Sequence, residues 1–135
     1  MDIISILLVV AGLLGALLGA AALVSPEWAA RFVRLKADPD QPDGYAEFRA
    51  TFGGVFLMMH VAFLGAFYMG AGMIGAAGVL CAAWAGAAGG RLVSLVLDAA
   101  KGVRTKHNLV SLGVEIVVAI IFALPVIDFM TSTPG

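Results

Sequence analysis

Polar side chains at helical spacing interrupt an otherwise apolar chain. Arg49, Gly53, Phe56 and His60 fall at i, i+4, i+7 and i+11, the spacing of one helix face. Arg91, Ser94 and Asp98 fall at i, i+3 and i+7, and Asn108, Ser111 and Glu115 repeat that interval. The chemistry such stripes can do is ionic. Arginine forks bind carboxylate or phosphate in two-pronged fashion, so Arg49 and Arg91 are candidates to hold an anionic group. Glu115 would hold a cation or titrate. Glu47 or Asp98 beside an arginine, and Glu115 with Arg49 or Arg91, are the expected ion pairs. These three stripes start from the cytoplasmic ends of their spans, and Glu115 lies about 9 Å deeper than Leu109 along an ideal helix. The spacing therefore predicts that Arg49, Arg91 and Glu115 share one site.

Two uses of such a site compete. One is a buried ion-pair network that fixes helix register. The other is a polar pocket near the cytoplasmic side that binds a lipid-like or amphiphilic ligand. A small transporter, coupled to protons or ions through Glu115 and His60, is a third. It requires a continuous polar path, and beyond His60 the sequence is nearly all apolar. His60 lies about 16 Å from Arg49 along the helix. Its ordinary reading is a hydrogen-bonded histidine inside the bundle. No second intramembrane histidine is available to make a haem pair, and His107 is expected in a loop. No Cys/His cluster, nucleophilic triad or phosphate-cradling loop is present, and Gly53-Gly54 follows no strand. The sequence thus leans away from an enzyme and calls for no cofactor and no metal. Cys81 is the one cysteine and lies in an apolar run, where it reads as a packing residue.

The elements that carry these residues must live in lipid. Of 135 residues, 61% are hydrophobic and 13% charged, about half the charge of an ordinary soluble domain. Mean hydropathy is +1.02. The net charge of −1 gives no bias toward nucleic acid. Ile3–Val24 is an uncharged run, long enough to cross a hydrocarbon core of roughly 30 Å. No basic region precedes it, so it reads as a retained span rather than a cleaved signal. Further spans are expected at about 46–68, 71–97 and 109–127. Each is helical because lipid leaves the backbone only itself to bond with. The expected fold class is all-α: one transmembrane domain over 1–135, an integral membrane four-helix bundle with a short interfacial amphipathic helix after the first span.

That short helix is signalled by Ser25-Pro26-Glu27, a cap, a proline suited to the first helical position and an acid at the positive end. Trp28, Phe32 and Leu35 then recur at helical spacing, and the basic residues between them would meet anionic headgroups. The Asp38-Pro39-Asp40-Gln41-Pro42-Asp43 stretch reads as a solvated turn rather than a calcium loop. All eight Lys and Arg residues fall on the first and third loops or the span ends beside them. By the positive-inside rule those loops are cytoplasmic and both termini periplasmic. Gly12, Gly15 and Gly19 form one small-residue stripe and Gly78, Ala82, Gly86 and Gly90 another. Both are expected to pack inside the bundle, with a homo-oligomer or larger membrane complex as the alternative. Membrane lipids are the other expected partners.

The segment Glu47-Phe48-Arg49-Ala50-Thr51-Phe52-Gly53-Gly54 carries a resemblance. With the apolar first span, the Pro-Glu-Trp start, Gly90-Arg91 followed by Asp98, and Glu115 in the last span, it is similar to a bacterial family of small four-span membrane proteins, catalogued as domain of unknown function 4345. Members often carry tyrosine where this chain has Phe52. The resemblance implies the four-span topology and a bacterial inner membrane, and implies no activity.

Overall fold

The computed structural model describes residues 2–36, 38, 40 and 44–132. Most of the aspartate-rich stretch, including Asp43, lies outside them. The described residues form helices and turns, with no strand among them. Four helices are long and apolar enough to cross a membrane. They are α1 (Ile3–Val24), α3 (Gly44–Met69), α4 (Met73–Leu97) and α5 (Lys106–Ser132), and the short α2 (Pro26–Val33) follows α1. The helix ends extend a few residues beyond the apolar runs, because a helix continues into the headgroup layer where charged side chains are solvated. His107 and Asn108 accordingly sit in the first turn of α5, not in a loop.

The chain divides into two compact units, Val9–Ala71 and Met1–Leu8 with Gly72–Gly135. In the first, α1 packs on α3 through its glycines. A Cβ on Gly19 would lie 2.5 Å from the Leu57 backbone nitrogen, and one on Gly15 would lie 2.1 Å from the His60 ring. The stripe on α1 is therefore a track that brings two backbones together. Asp2 opens α1 by accepting the Ser5 N–H at 2.7 Å.

The start of α3 departs from the α-helix. Phe48–Val55 is wound as a π-helix, continuing as an α-helix from Phe56. It lies against the end of α1. Gly53 is buried there, and a Cβ on it would lie 2.8 Å from Leu23 Cα. Phe48 joins Ala22, Ala29 and Ala30 in a small apolar cluster that α2 completes with Trp28 and Val33. Pro26 opens α2 as its sequence predicts, but Ser25 caps with its backbone carbonyl and not its hydroxyl.

In the second unit α4 and α5 form an antiparallel pair. Its buried residues include Ala77, Leu80, Ala88, Ala119 and Phe122. The α4 stripe does not behave as expected. Gly78 approaches Val126, but Ala82, Gly86 and Gly90 are exposed, and a Cβ on Gly86 or Gly90 would meet nothing within 4 Å. Periodicity locates a small-residue face without saying which neighbour lies there.

Candidate functional site

The core of the candidate site is Arg91 on α4 with Glu115 on α5. The guanidinium is two-pronged: Nη2 donates to Glu115 Oε1 at 2.6 Å and Nε to Oε2 at 2.9 Å. Arg91 Nη1 donates to Asn108 Oδ1 at 3.0 Å. Asn108 Nδ2 donates in turn to the Val103 carbonyl at 2.7 Å, which ties the pair to the α4–α5 connection. The side chains differ in exposure: 29% for Arg91 and 9% for Glu115. Glu115 is nearly covered and takes its charge partner through this fork; a charged group within a membrane-spanning helix is costly unless so paired.

A second polar group continues the α4 face toward the connection. Ser94 Oγ donates to Asp98 Oδ2 at 3.0 Å, and Lys101 Nζ lies 2.8 Å from Asp98 Oδ1. The Asp98 carboxyl is held below the usual carboxylate range. The hydrogen bond from Lys101 is the largest cause, followed by that from Ser94. Lys101 is raised by the same partner. Asp98 thus pairs with a lysine rather than the expected arginine, since the short turn Ala99–Lys101 carries Lys101 back over the end of α4. Arg104 Nε meanwhile donates to the Leu95 carbonyl at 3.0 Å. Ser111 is half-buried on the α5 face that carries Asn108 and Glu115.

Two further sequence-predicted residues, Arg49 and Glu47, lie on α3 in the unit Val9–Ala71. Arg49 Nη1 donates to the Leu23 carbonyl and, at 3.5 Å, to that of Val24. Its recorded bonds thus go to the C-terminal end of α1, where free carbonyls and the helix dipole favour a cation, and Glu115 is bonded by Arg91. Of the two arginines expected as alternatives for Glu115, Arg91 is the one bonded to it, and Arg49 bonds the end of α1. Glu47 is exposed and makes no ion pair among the described residues; its carbonyl accepts from Thr51 Oγ1 at 2.6 Å.

His60 is fully buried. Its Nδ1 lies 2.7 Å from the Phe56 carbonyl, so Nδ1 carries the proton in that bond. Its ring lies 4.5 Å from that of Phe56, centre to centre, and fills the gap that Gly15 leaves on α1. Sequence spacing misses two contributors. Asn108's partner Val103 and Arg49's partner Leu23 act through backbone carbonyls, which every residue type carries alike.

A family model described as domain of unknown function (DUF4345) matches residues 3–125. That span holds the π-wound segment and the whole Arg91–Asn108–Glu115 group, and the chain belongs to this family. No curated protein and no solved structure matches.

Proposed function

We propose that this member of the family is a non-catalytic, multi-pass membrane protein that holds an amphiphile by its polar head on the α4–α5 seam. The carrying observation is the asymmetry of the ion pair. Glu115 is covered, while Arg91 keeps part of its guanidinium exposed. The bonds to Glu115 and Asn108 take three of its five N–H donors. The rest can meet an acidic or polar headgroup without breaking the pair. On the same turns of α4, Leu92, Val93 and Val96 present exposed apolar surface on neighbouring faces of the helix, suited to an acyl chain. Lipids of a bacterial cytoplasmic membrane are the proposed partner pool.

The test is the lipid content of the purified protein. Native mass spectrometry of wild type from mild detergent is expected to show a retained amphiphile. Arg91→Lys keeps the charge but loses the fork, and is expected to release it while remaining folded. Equal retention by wild type and variant would overturn the reading.

A second reading, a subunit of a membrane assembly, is favoured by the exposed Ala82, Gly86 and Gly90 on α4. The same spectra decide it: a stoichiometric oligomer or partner without bound lipid supports the subunit, and a clean apo monomer counts against both.

A further inference from the structure

We propose that the corner between α2 and the start of α3 is a separate site for the phosphate of an anionic phospholipid. A cavity of about 320 Å³ opens there, within the roughly 300–1,000 Å³ of small-molecule sites. Three cations line it, Arg31, Arg34 and Lys36, against one anion, Glu27; Tyr45 and Leu35 are also part of its wall. None of the three cations has an ion-pair partner among the described residues.

The backbone gathers them. Arg34 is the one non-glycine residue with positive φ among the described residues, at 59°. It ends α2: Leu35 N–H bonds the Ala30 carbonyl at 2.9 Å and Arg34 N–H bonds that of Arg31 at 3.2 Å. This closing motif usually takes glycine at the left-handed position. An arginine there accepts a conformational cost that glycine avoids, and the reversal sets Lys36 beside the cavity with Arg31. Two guanidinium forks and an ammonium suit phosphate oxygens.

The surroundings favour a lipid over a soluble anion. Only Ser25 separates α2 from the end of α1, a helix long enough to cross the bilayer. Trp28 and Phe32 stack with ring centres 5.2 Å apart. Phe32 and Leu35 are each more than half exposed. An amphipathic helix with such a face lies among headgroups, and clustered basic residues there attract anionic lipid. The site uses none of the residues on the α4–α5 seam and does not depend on the seam binding anything.

The test uses the full chain in detergent, titrated with phosphatidylglycerol, phosphatidylcholine or inorganic phosphate and read by native mass spectrometry. Phosphatidylglycerol is expected to bind at least about tenfold more tightly than phosphatidylcholine. The combined change Arg31→Gln, Arg34→Gln, Lys36→Gln should reduce that preference to whatever the α4–α5 seam alone gives, while Arg91→Lys leaves the corner's share intact. Arg34→Gly guards against misfolding, since it suits the left-handed backbone; it should weaken phosphatidylglycerol binding without lowering thermal stability. An unchanged preference in the triple variant overturns the proposal, as does its loss in Arg91→Lys alone. Inorganic phosphate binding as tightly as the lipid would overturn the lipid assignment.

Discussion

Removing either half of the Arg91–Glu115 pair leaves the other charge where water reaches it poorly. Breaking a fully buried pair costs about 3–5 kcal/mol, and the partial exposure of Arg91 puts this one toward the lower end. Glu115→Gln and Arg91→Ala are both expected to lower the unfolding temperature in detergent, followed by loss of helical circular dichroism. Replacing Arg91 and Glu115 together by methionine and leucine should recover most of that loss, because well-packed apolar groups often match a buried pair. A double variant no better than the singles would show that the pair does more than satisfy itself. The Asp98–Lys101 bond predicts a pH response. A carboxylate held below its usual range stabilises the fold fully above that range, and the contribution disappears as pH falls through the lowered value. Lys101, held above its usual range, contributes at neutral pH and loses its part as pH rises through the raised value. The turn is therefore held across neutral pH and loosens at both extremes. Amide shifts of Lys101 and Gly102 should record an acid transition in wild type that Asp98→Asn removes. At this scale the Arg91, Asn108 and Glu115 stripes were legible, because charge and spacing are both written in the sequence. Arg49's partner was not, since a helix-end carbonyl carries no letter of its own.

Among the described residues, α1 meets α3 through its glycines, whereas a Cβ on Gly86 or Gly90 of α4 would meet nothing within 4 Å. Gly19→Ala and Gly53→Ala would drive a Cβ into backbone atoms of Leu57 and Leu23, which cannot swing away as a side-chain tip can. Overpacking of that kind costs about 1–3 kcal/mol, so both variants should unfold at lower temperature in detergent. Gly86→Ala meets open space and gains helix propensity of up to about 1 kcal/mol. It is expected to leave the monomer as stable or slightly more so. If native mass spectra show an oligomer that Gly86→Ala dissolves, the α4 stripe is an interface between chains. Span positions were legible from apolar runs, and α1 ends where the run ends, at Val24. The π-winding of Phe48–Val55 was not. Its residues also fit an α-helical face, and the wide turn is seen only against α1, where Gly53 sits on Leu23. Such winding is rare and recurs at functional sites; here it underlies the corner that also holds α2.

For the molecule as a whole, an expected orientation can be argued from where the cations fall along the helices. Arg31, Arg34 and Lys36 come on or after α2, Arg49 lies in the opening turns of α3, and Arg91 in the last turns of α4. Lys101, Arg104 and Lys106 occupy the α4–α5 connection and the first residue of α5. The opposite turn, between Met69 and Met73, contains Gly70 and Gly72, both with left-handed φ, and no cation. If α1, α3, α4 and α5 each cross once, the α1–α3 and α4–α5 connections share one side, and both chain ends share the other. Positive charge close to span ends is retained on the cytoplasmic side. Both ends are therefore expected outside the cytoplasm. All eight cations favour the same orientation, so removing one or two should not invert the protein. Alkaline phosphatase fused after Gly135 should be active, and a fluorescent protein fused there should stay dark when exported unfolded. The reverse pattern would invert the topology. It would also move the α2 cavity away from the inner-leaflet headgroups proposed as its ligand, while leaving the Arg91–Glu115 geometry untouched. Moving three of the cations into the Gly70–Gly72 turn, with Arg31, Arg34 and Lys36 made glutamine, should weaken the preference and yield a mixed population by the same reporters. An unmixed population in the original orientation would mean that something other than loop charge fixes it.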